Sequence, residues 1–183
     1  KFLKIELDIT PNRPDAFSHY GIARDIAVSK NRDLSKIKIN KKESIKNPTI
    51  KISKEDNNDC SRYVGGIVKN VSVGPSPIWM QDMLVAAGQR PINNLVDISN
   101  FVLLESGQPT HIFDHEKFGG NQIHVRRAIK GDIITTLDQK QYKLNNNHLL
   151  ITNGEVPVAL AGIMGGYDSA VDDGTKNILI ESA

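Results

Sequence analysis

Apolar and polar residues alternate from Lys4 to Ile9, the spacing of a half-buried strand. The next stretch, DITPNRPDAFSHYGIARDIAVSKN, carries prolines at 11 and 14 that forbid regular helix before about Asp15. Asp15 can cap a helix running to about Lys30, with Phe17, Tyr20, Ile26 and Ala27 on or near one face. Residues 30–59 change character. Asn31, Arg32, Lys36, Lys38, Lys41, Lys42 and Lys46 crowd together with few large apolar groups. This reads as a solvated linker with one or two edge strands, such as Thr49 to Ser53, whose lysines discourage unwanted strand pairing. An RNA-contacting basic patch is the second reading.

From Arg62 the pattern sharpens. RYVGGIVKNVSV is a strand with a glycine pair inside it. Ser76-Pro77 is a helix start, and Trp79, Met80, Met83, Leu84 and Ala87 then form one apolar stripe, read as core, before Gly88. A second helix is expected from about Asn94 to Glu105, stopping at Gly107 with Pro109 beyond it. After Gly120 the chain becomes β-rich. Ile123 and Val125 alternate with His124 and Arg126, and Asp138-Gln139 and Asn153-Gly154 mark turns, the second a hairpin signal. Val156 to Leu160 and Ile178 to Ile180 read as buried strands. The pattern predicts an α+β protein dominated by a mixed sheet or sandwich with several helices, preceded by a small α/β piece.

Composition narrows the classes. A hydrophobic fraction of 39% in 183 residues supports a real core. A net charge of +2, from 23 basic and 21 acidic residues, argues against a strong non-specific nucleic-acid binder. Cys60 is the only cysteine, so no intrachain disulfide can form and a thiolate zinc site is disfavoured. No signal peptide is recognisable, and the longest apolar run, Val156 to Met164, is too short to span a bilayer. A cytoplasmic protein with no membrane partner is expected. The missing initiator Met and the strand-like ending ILIESA read as a piece cut from a longer protein.

Candidate chemistry is sparse. In HIFDHE, His111, Asp114 and His115 have i, i+3, i+4 spacing and would share one face if helical, in an order similar to an inverted zinc-hydrolase motif. The plainer reading is a turn anchored by Ile112, Phe113 and Phe118, with Asp114 bonding local amides. AGIMGG, Ala161 to Gly166, lacks a phosphate-loop pattern and marks a bulge or a close backbone approach. Glu181 is either a solvated strand end or a carboxylate at a pocket mouth. Asp97 and Asn100 share a helix face, and Arg90 can serve as a helix C-terminal cation or hold an anion. No Ser or Cys nucleophile motif appears, so water is the expected nucleophile of any hydrolysis.

Taken together, RPINNLVDISNFVLLESGQPTHIFD, ALAGIMGG and NILIESA closely resemble the editing domain of the bacterial phenylalanyl-tRNA synthetase β subunit. DITPNRPDAFSHYGIARD resembles the preceding small module, so the likeness covers nearly all of the chain except the Lys/Asn-rich linker. The resemblance implies a partial N-terminal module with the start of a linker (1–45), a linker and edge strand (46–60), and an editing domain (61–183) truncated at its C-terminus. It implies hydrolysis of tyrosine wrongly attached to tRNA(Phe) by water attack on the aminoacyl ester. The parent ligase is a heterotetramer with an α subunit, uses ATP and magnesium for charging, and binds the tRNA(Phe) acceptor end. No cofactor is expected in this piece, and no metal. Carried over by position, His111 and Asn100 are catalytic, and Glu181, Gly165, Gly162 and Arg90 bind substrate. Glu181 would accept the tyrosine phenol proton. His115 lies outside the family's motif. The alternatives are a non-catalytic RNA-binding or assembly module of the same architecture, and a metal-dependent hydrolase using HIFDHE.

Overall fold

Helices occupy one set of segments and strands another. The computed structural model describes residues 4–37, 39 and 50–183. The chain divides into two units, Lys1–Lys46 with Pro75–Thr110, and Asn47–Gly74 with His111–Ala183.

The first unit is helical. A 3-10 turn, Pro14–Ala16, precedes helix α1 (His19–Ser29). Asp15 was the expected cap, but Ser18 fills that role, its Oγ accepting from the Gly21 amide at 3.0 Å. Asp15 instead pairs with Arg13 and Arg24. Phe17 and Ile26, expected on or near one helix face, are exposed. Residues 4–9 do not form the expected strand: among the described residues no strand pairs with them, and alternation without a ladder partner leaves Ile5 and Leu7 exposed.

Helix α2 (Ile78–Ala86) begins just after Pro77, which makes no side-chain cap bond. The Ser76 hydroxyl, the expected cap, is drawn away to Asp97 Oδ2 at 2.5 Å. Only Met80 and Leu84 of the predicted stripe are buried, while Trp79 and Met83 stay exposed. Trp79 packs edge-on against Phe101, ring centroids 5.5 Å apart. Helix α3 (Asn94–Ser106) has the boundaries its sequence signals suggest. Asn93 Oδ1 accepts from the Leu95 and Val96 amides, and Gly107 ends the helix in the left-handed region at φ 81. Asp97 points inward rather than to solvent and also accepts the Ile92 amide at 2.8 Å.

Among its described residues the second unit holds ten strands and a single helical turn: β1 (Lys51–Lys54), β2 (Val64–Val68), β3 (His111–Asp114), α4 (His115–Phe118), β4 (Gln122–Arg127), β5 (Ile133–Thr135), β6 (Gln141–Lys143), β7 (Leu149–Thr152), β8 (Pro157–Leu160), β9 (Met164–Gly165) and β10 (Ile178–Ser182). Residues 46–60, read as linker and edge strand, thus contribute β1 to this unit; the part of that expectation on Thr49 lies outside the described residues. The main sheet is mixed, in the order β1-β4-β7-β8-β9, with β1 parallel to β4 and the other pairs antiparallel. A second sheet, β2-β10-β3, is antiparallel, and β5-β6 is a hairpin turning through Gln139 at φ 61. The β7–β8 connection is longer than a two-residue turn: Asn153 Oδ1 gathers the Glu155 and Val156 amides.

Phe113 and Leu179 of the small sheet, with Tyr63 just before β2, pack on Ile123, Val125, Ile151 and Ala159 of the large one, with Phe118 from α4 completing the cluster. This is the sandwich-like α+β arrangement expected, and each large apolar side chain buried there contributes roughly 1.5–3 kcal/mol. No helix among the described residues is long and apolar enough to cross a membrane.

Asp97 ties the start of α2 to α3 and the loop between them, so its loss leaves two donors unpaired. Asp97→Ala is expected to destabilise the protein by about 2–4 kcal/mol, read from denaturant unfolding; a change within about 0.5 kcal/mol would show that water replaces the carboxylate without penalty.

Candidate functional site

Strand periodicity builds the site. Leu179 and Glu181 lie on the same face of β10 because successive side chains alternate. Their partners across β3 are Phe113 and His111, and across β2 Ile67 and Gly65. Leu179 and Phe113 are fully buried, so this is the inner face. Glu181 and His111 therefore sit directly opposite each other at one end of the core. Gly65 leaves the third strand without a side chain beside Glu181.

The backbone of β9 closes over the histidine. A Cβ built on Gly165 would lie 2.4 Å from His111 Cε1 and 2.5 Å from Nε2, so no other residue fits unless the imidazole moves. Gly162 is glycine for a different reason: its φ is 68 in the turn before β9, and a Cβ there would meet nothing within 4 Å. The close approach read from AGIMGG is thus made by Gly165.

The His111 ring lies edge-on to Phe113, centroids 4.4 Å apart. Burial lowers its pKa from 6.5 to about 4, so the imidazole is neutral at physiological pH. Burial raises the Glu181 carboxyl above its ordinary range, opposed in part by Tyr63. Tyr63 is itself buried, its phenol pushed well up, first by desolvation and then by the Glu181 charge. Yet Tyr63 Oη, His111 Nε2 and Glu181 Oε2 are all buried without a hydrogen-bond partner. Tyr63 and Glu181 shift one another's ionisation through charge and a side-chain hydrogen-bond interaction, yet neither Tyr63 Oη nor Glu181 Oε2 has a well-formed partner. Each such orphan costs about 1–3 kcal/mol, so three at one end of a core are expensive unless something else pairs with them.

The other sequence candidates are carried by other elements. Arg90 and Asn100 are carried by the helical unit, Arg90 exposed beyond α2 and Asn100 half-buried on α3. HIFDHE is not one helix: His111 to Asp114 form β3, and His115 opens α4, so the shared helical face needed for a metal motif does not exist. Asp114 caps α4 by accepting the Lys117 amide at 3.0 Å and is held by the Thr175 hydroxyl at 2.6 Å. No group of three His, Cys, Asp or Glu side chains among the described residues could hold a metal ion. Tyr63 was missed in the sequence, where it reads as an ordinary strand residue. Its one signal was parity, two places before Gly65 and so on the Glu181 face.

This chain belongs to the B3/4 domain family, whose model matches residues 59–183. It is similar to the phenylalanine–tRNA ligase beta subunit of Geobacillus kaustophilus, 49% identical over 181 residues, which is 98% of this chain and 22% of that protein. The same subunit of Fusobacterium nucleatum is 46% identical over 180 residues, covering 97% of this chain and 22% of that one. The chain thus spans under a quarter of the length of these relatives. Its fold is similar to that of an N-terminal fragment of the phenylalanyl-tRNA synthetase beta subunit from Pyrococcus horikoshii, with a TM-score of 0.53 and 19% identity over 93% of this chain and 52% of that one.

Two outcomes are expected. Gly165→Ala should displace the His111 ring and destabilise the protein by about 1–3 kcal/mol, visible as shifted imidazole resonances in NMR; unchanged resonances would mean that β9 yields instead. Folded His111 stays neutral down to about pH 4, whereas the unfolded residue takes a proton near 6.5. Between those values the unfolded chain binds the extra proton, so stability is present above about pH 6.5 and falls as pH falls towards 4. Glu181, shifted upward, acts in the opposite sense, so the comparison is with His111→Gln. Relative to that variant the native protein should lose about 3 kcal/mol across the window, measured by denaturation at several pH values; a pH-independent difference would contradict a buried neutral imidazole.

Proposed function

We propose that the β-rich unit hydrolyses tyrosine wrongly esterified to tRNA(Phe), as the editing part of a phenylalanine–tRNA ligase. The observation that carries this reading is the Glu181 carboxyl group, its Oε2 buried and unpartnered, directly across from a neutral His111. Phenylalanine and tyrosine differ by one hydroxyl. A pocket shaped for the phenylalanine ring rejects tyrosine by only roughly a hundredfold if it relies on apolar contacts. A site that demands the hydroxyl discriminates in the other direction far more strongly, because its own buried polar atoms stay unpaired when the hydroxyl is missing.

The register bears on the roles. Glu181 and His111 are cross-strand neighbours, so both address the same end of a bound substrate. If Glu181 takes the phenol proton, His111 serves that end as a neutral hydrogen-bonding partner rather than as a base at the ester. The ester carbon lies at the far end of the tyrosyl group. Hydrolysis there needs a held water: its oxygen bonds to the carbonyl carbon, the bond to the ribose oxygen breaks, and that oxygen leaves with a proton from the water. An aminoacyl ester is activated enough that positioning supplies much of the rate. In the complete ligase an α subunit, ATP and magnesium would belong to the charging reaction, and the acceptor end of tRNA(Phe) would deliver the substrate to this unit in the cytoplasm.

In the complete ligase, Glu181→Gln is expected to reduce the preference for Tyr-tRNA(Phe) over Phe-tRNA(Phe) in deacylation by at least about tenfold, with phenylalanine charging unchanged. His111→Ala should lower that preference without abolishing hydrolysis. A native enzyme that hydrolyses neither aminoacyl-tRNA would reduce the unit to a non-catalytic module.

A further inference from the structure

We infer that Tyr63 is a third specificity-determining residue, donating a hydrogen bond to the phenol oxygen of the substrate tyrosine while that phenol donates to Glu181. The inference rests on the editing reading above and names how the hydroxyl is recognised.

A phenol hydroxyl has one proton to give and lone pairs to receive, and a site that reads it fully supplies both an acceptor and donors. The inner end of the small sheet holds such a set. Glu181 Oε2 is an acceptor without a donor, and Tyr63 Oη carries a proton with no acceptor. His111 Nε2, across the strand pair from Glu181, is also unpartnered and can complete the set in either tautomer. Tyr63 precedes β2, two residues before the Gly65 that pairs with Glu181; its side chain is buried, as is Glu181 Oε2, in the same unit. Tyr63 and Glu181 interact closely enough to influence each other, yet Tyr63 Oη and Glu181 Oε2 are both left without a well-formed partner. A substrate hydroxyl that accepts from Tyr63 and donates to Glu181 gives each atom the partner it lacks. The Tyr63 ring serves the core in any case, packed with Phe113, Ile123 and Leu179, so removing its oxygen alone separates recognition from packing.

The experiment uses the complete ligase and measures kcat and KM for deacylation of Tyr-tRNA(Phe) and of Phe-tRNA(Phe) in the native enzyme, Tyr63→Phe, Glu181→Gln and the double variant. Tyr63→Phe is expected to lower kcat/KM for Tyr-tRNA(Phe) about tenfold, leaving Phe-tRNA(Phe) deacylation and phenylalanine charging unchanged. In the Glu181→Gln background the same substitution should have a smaller effect, since the bridge is already broken. Equal losses on both substrates would assign Tyr63 a purely structural role and overturn the inference, as would native selectivity in Tyr63→Phe. If the native enzyme itself shows no preference for Tyr-tRNA(Phe), the editing reading fails and the inference with it. Retained native selectivity with an inert Tyr63→Phe rejects the Tyr63 role alone.

Discussion

The two-residue period of β10 is the constraint on which the site depends. Once Leu179 is committed to the core between Ile67 and Phe113, Glu181 must point the same way. A carboxylate at that position cannot escape to solvent without turning Leu179 out of the core, where its side chain is fully buried. The same logic holds His111 inward behind Phe113. The apolar sandwich thus enforces the burial of two ionisable groups, and that burial moves their proton affinities in opposite directions.

Several buried polar groups elsewhere among the described residues are paired. Asp97 accepts from Ser76 and from the Ile92 amide, and Asp114 from Thr175 and the Lys117 amide. Ser169 donates to the Val158 carbonyl. These groups are saturated and hold segments in place. Tyr63, His111 and Glu181 each keep an atom without a partner, as does His115 Nε2 on α4, so an orphaned atom marks the site only together with its place on the inner face of β3 and β10.

Local signals in the sequence were readable, and non-local ones were not. The ends of α3 follow from Asn93 and Gly107, because a cap and a left-handed stop act within a few residues. The Ser76-Pro77 signal misled in part, since a serine hydroxyl goes to the strongest acceptor available, and Asp97 arrives from the next helix. The i, i+3, i+4 spacing in HIFDHE is equally compatible with a strand followed by a turn of helix, and only pairing with β10 decides between them. Gly165 was legible as a close approach, but the ring it meets, His111, was not, because the two are brought together by tertiary folding. Tyr63 offered only its two-residue offset from Gly65, and nothing in the sequence says that Gly65 pairs with Glu181.

The pairing of β2 with β10 also shapes how the protein is made. Between these strands the chain runs through the second segment of the helical unit and then through most of the large sheet. As synthesis proceeds, β2 leaves the ribosome with both edges open and waits for the last strand of its sheet. Contacts so far apart in sequence form slowly, and an unpaired edge is open to pairing with another chain in the meantime. A strand of Val, Gly, Gly, Ile and Val suits that wait: the glycine pair lowers its intrinsic strand propensity and makes it a poor template before β10 arrives.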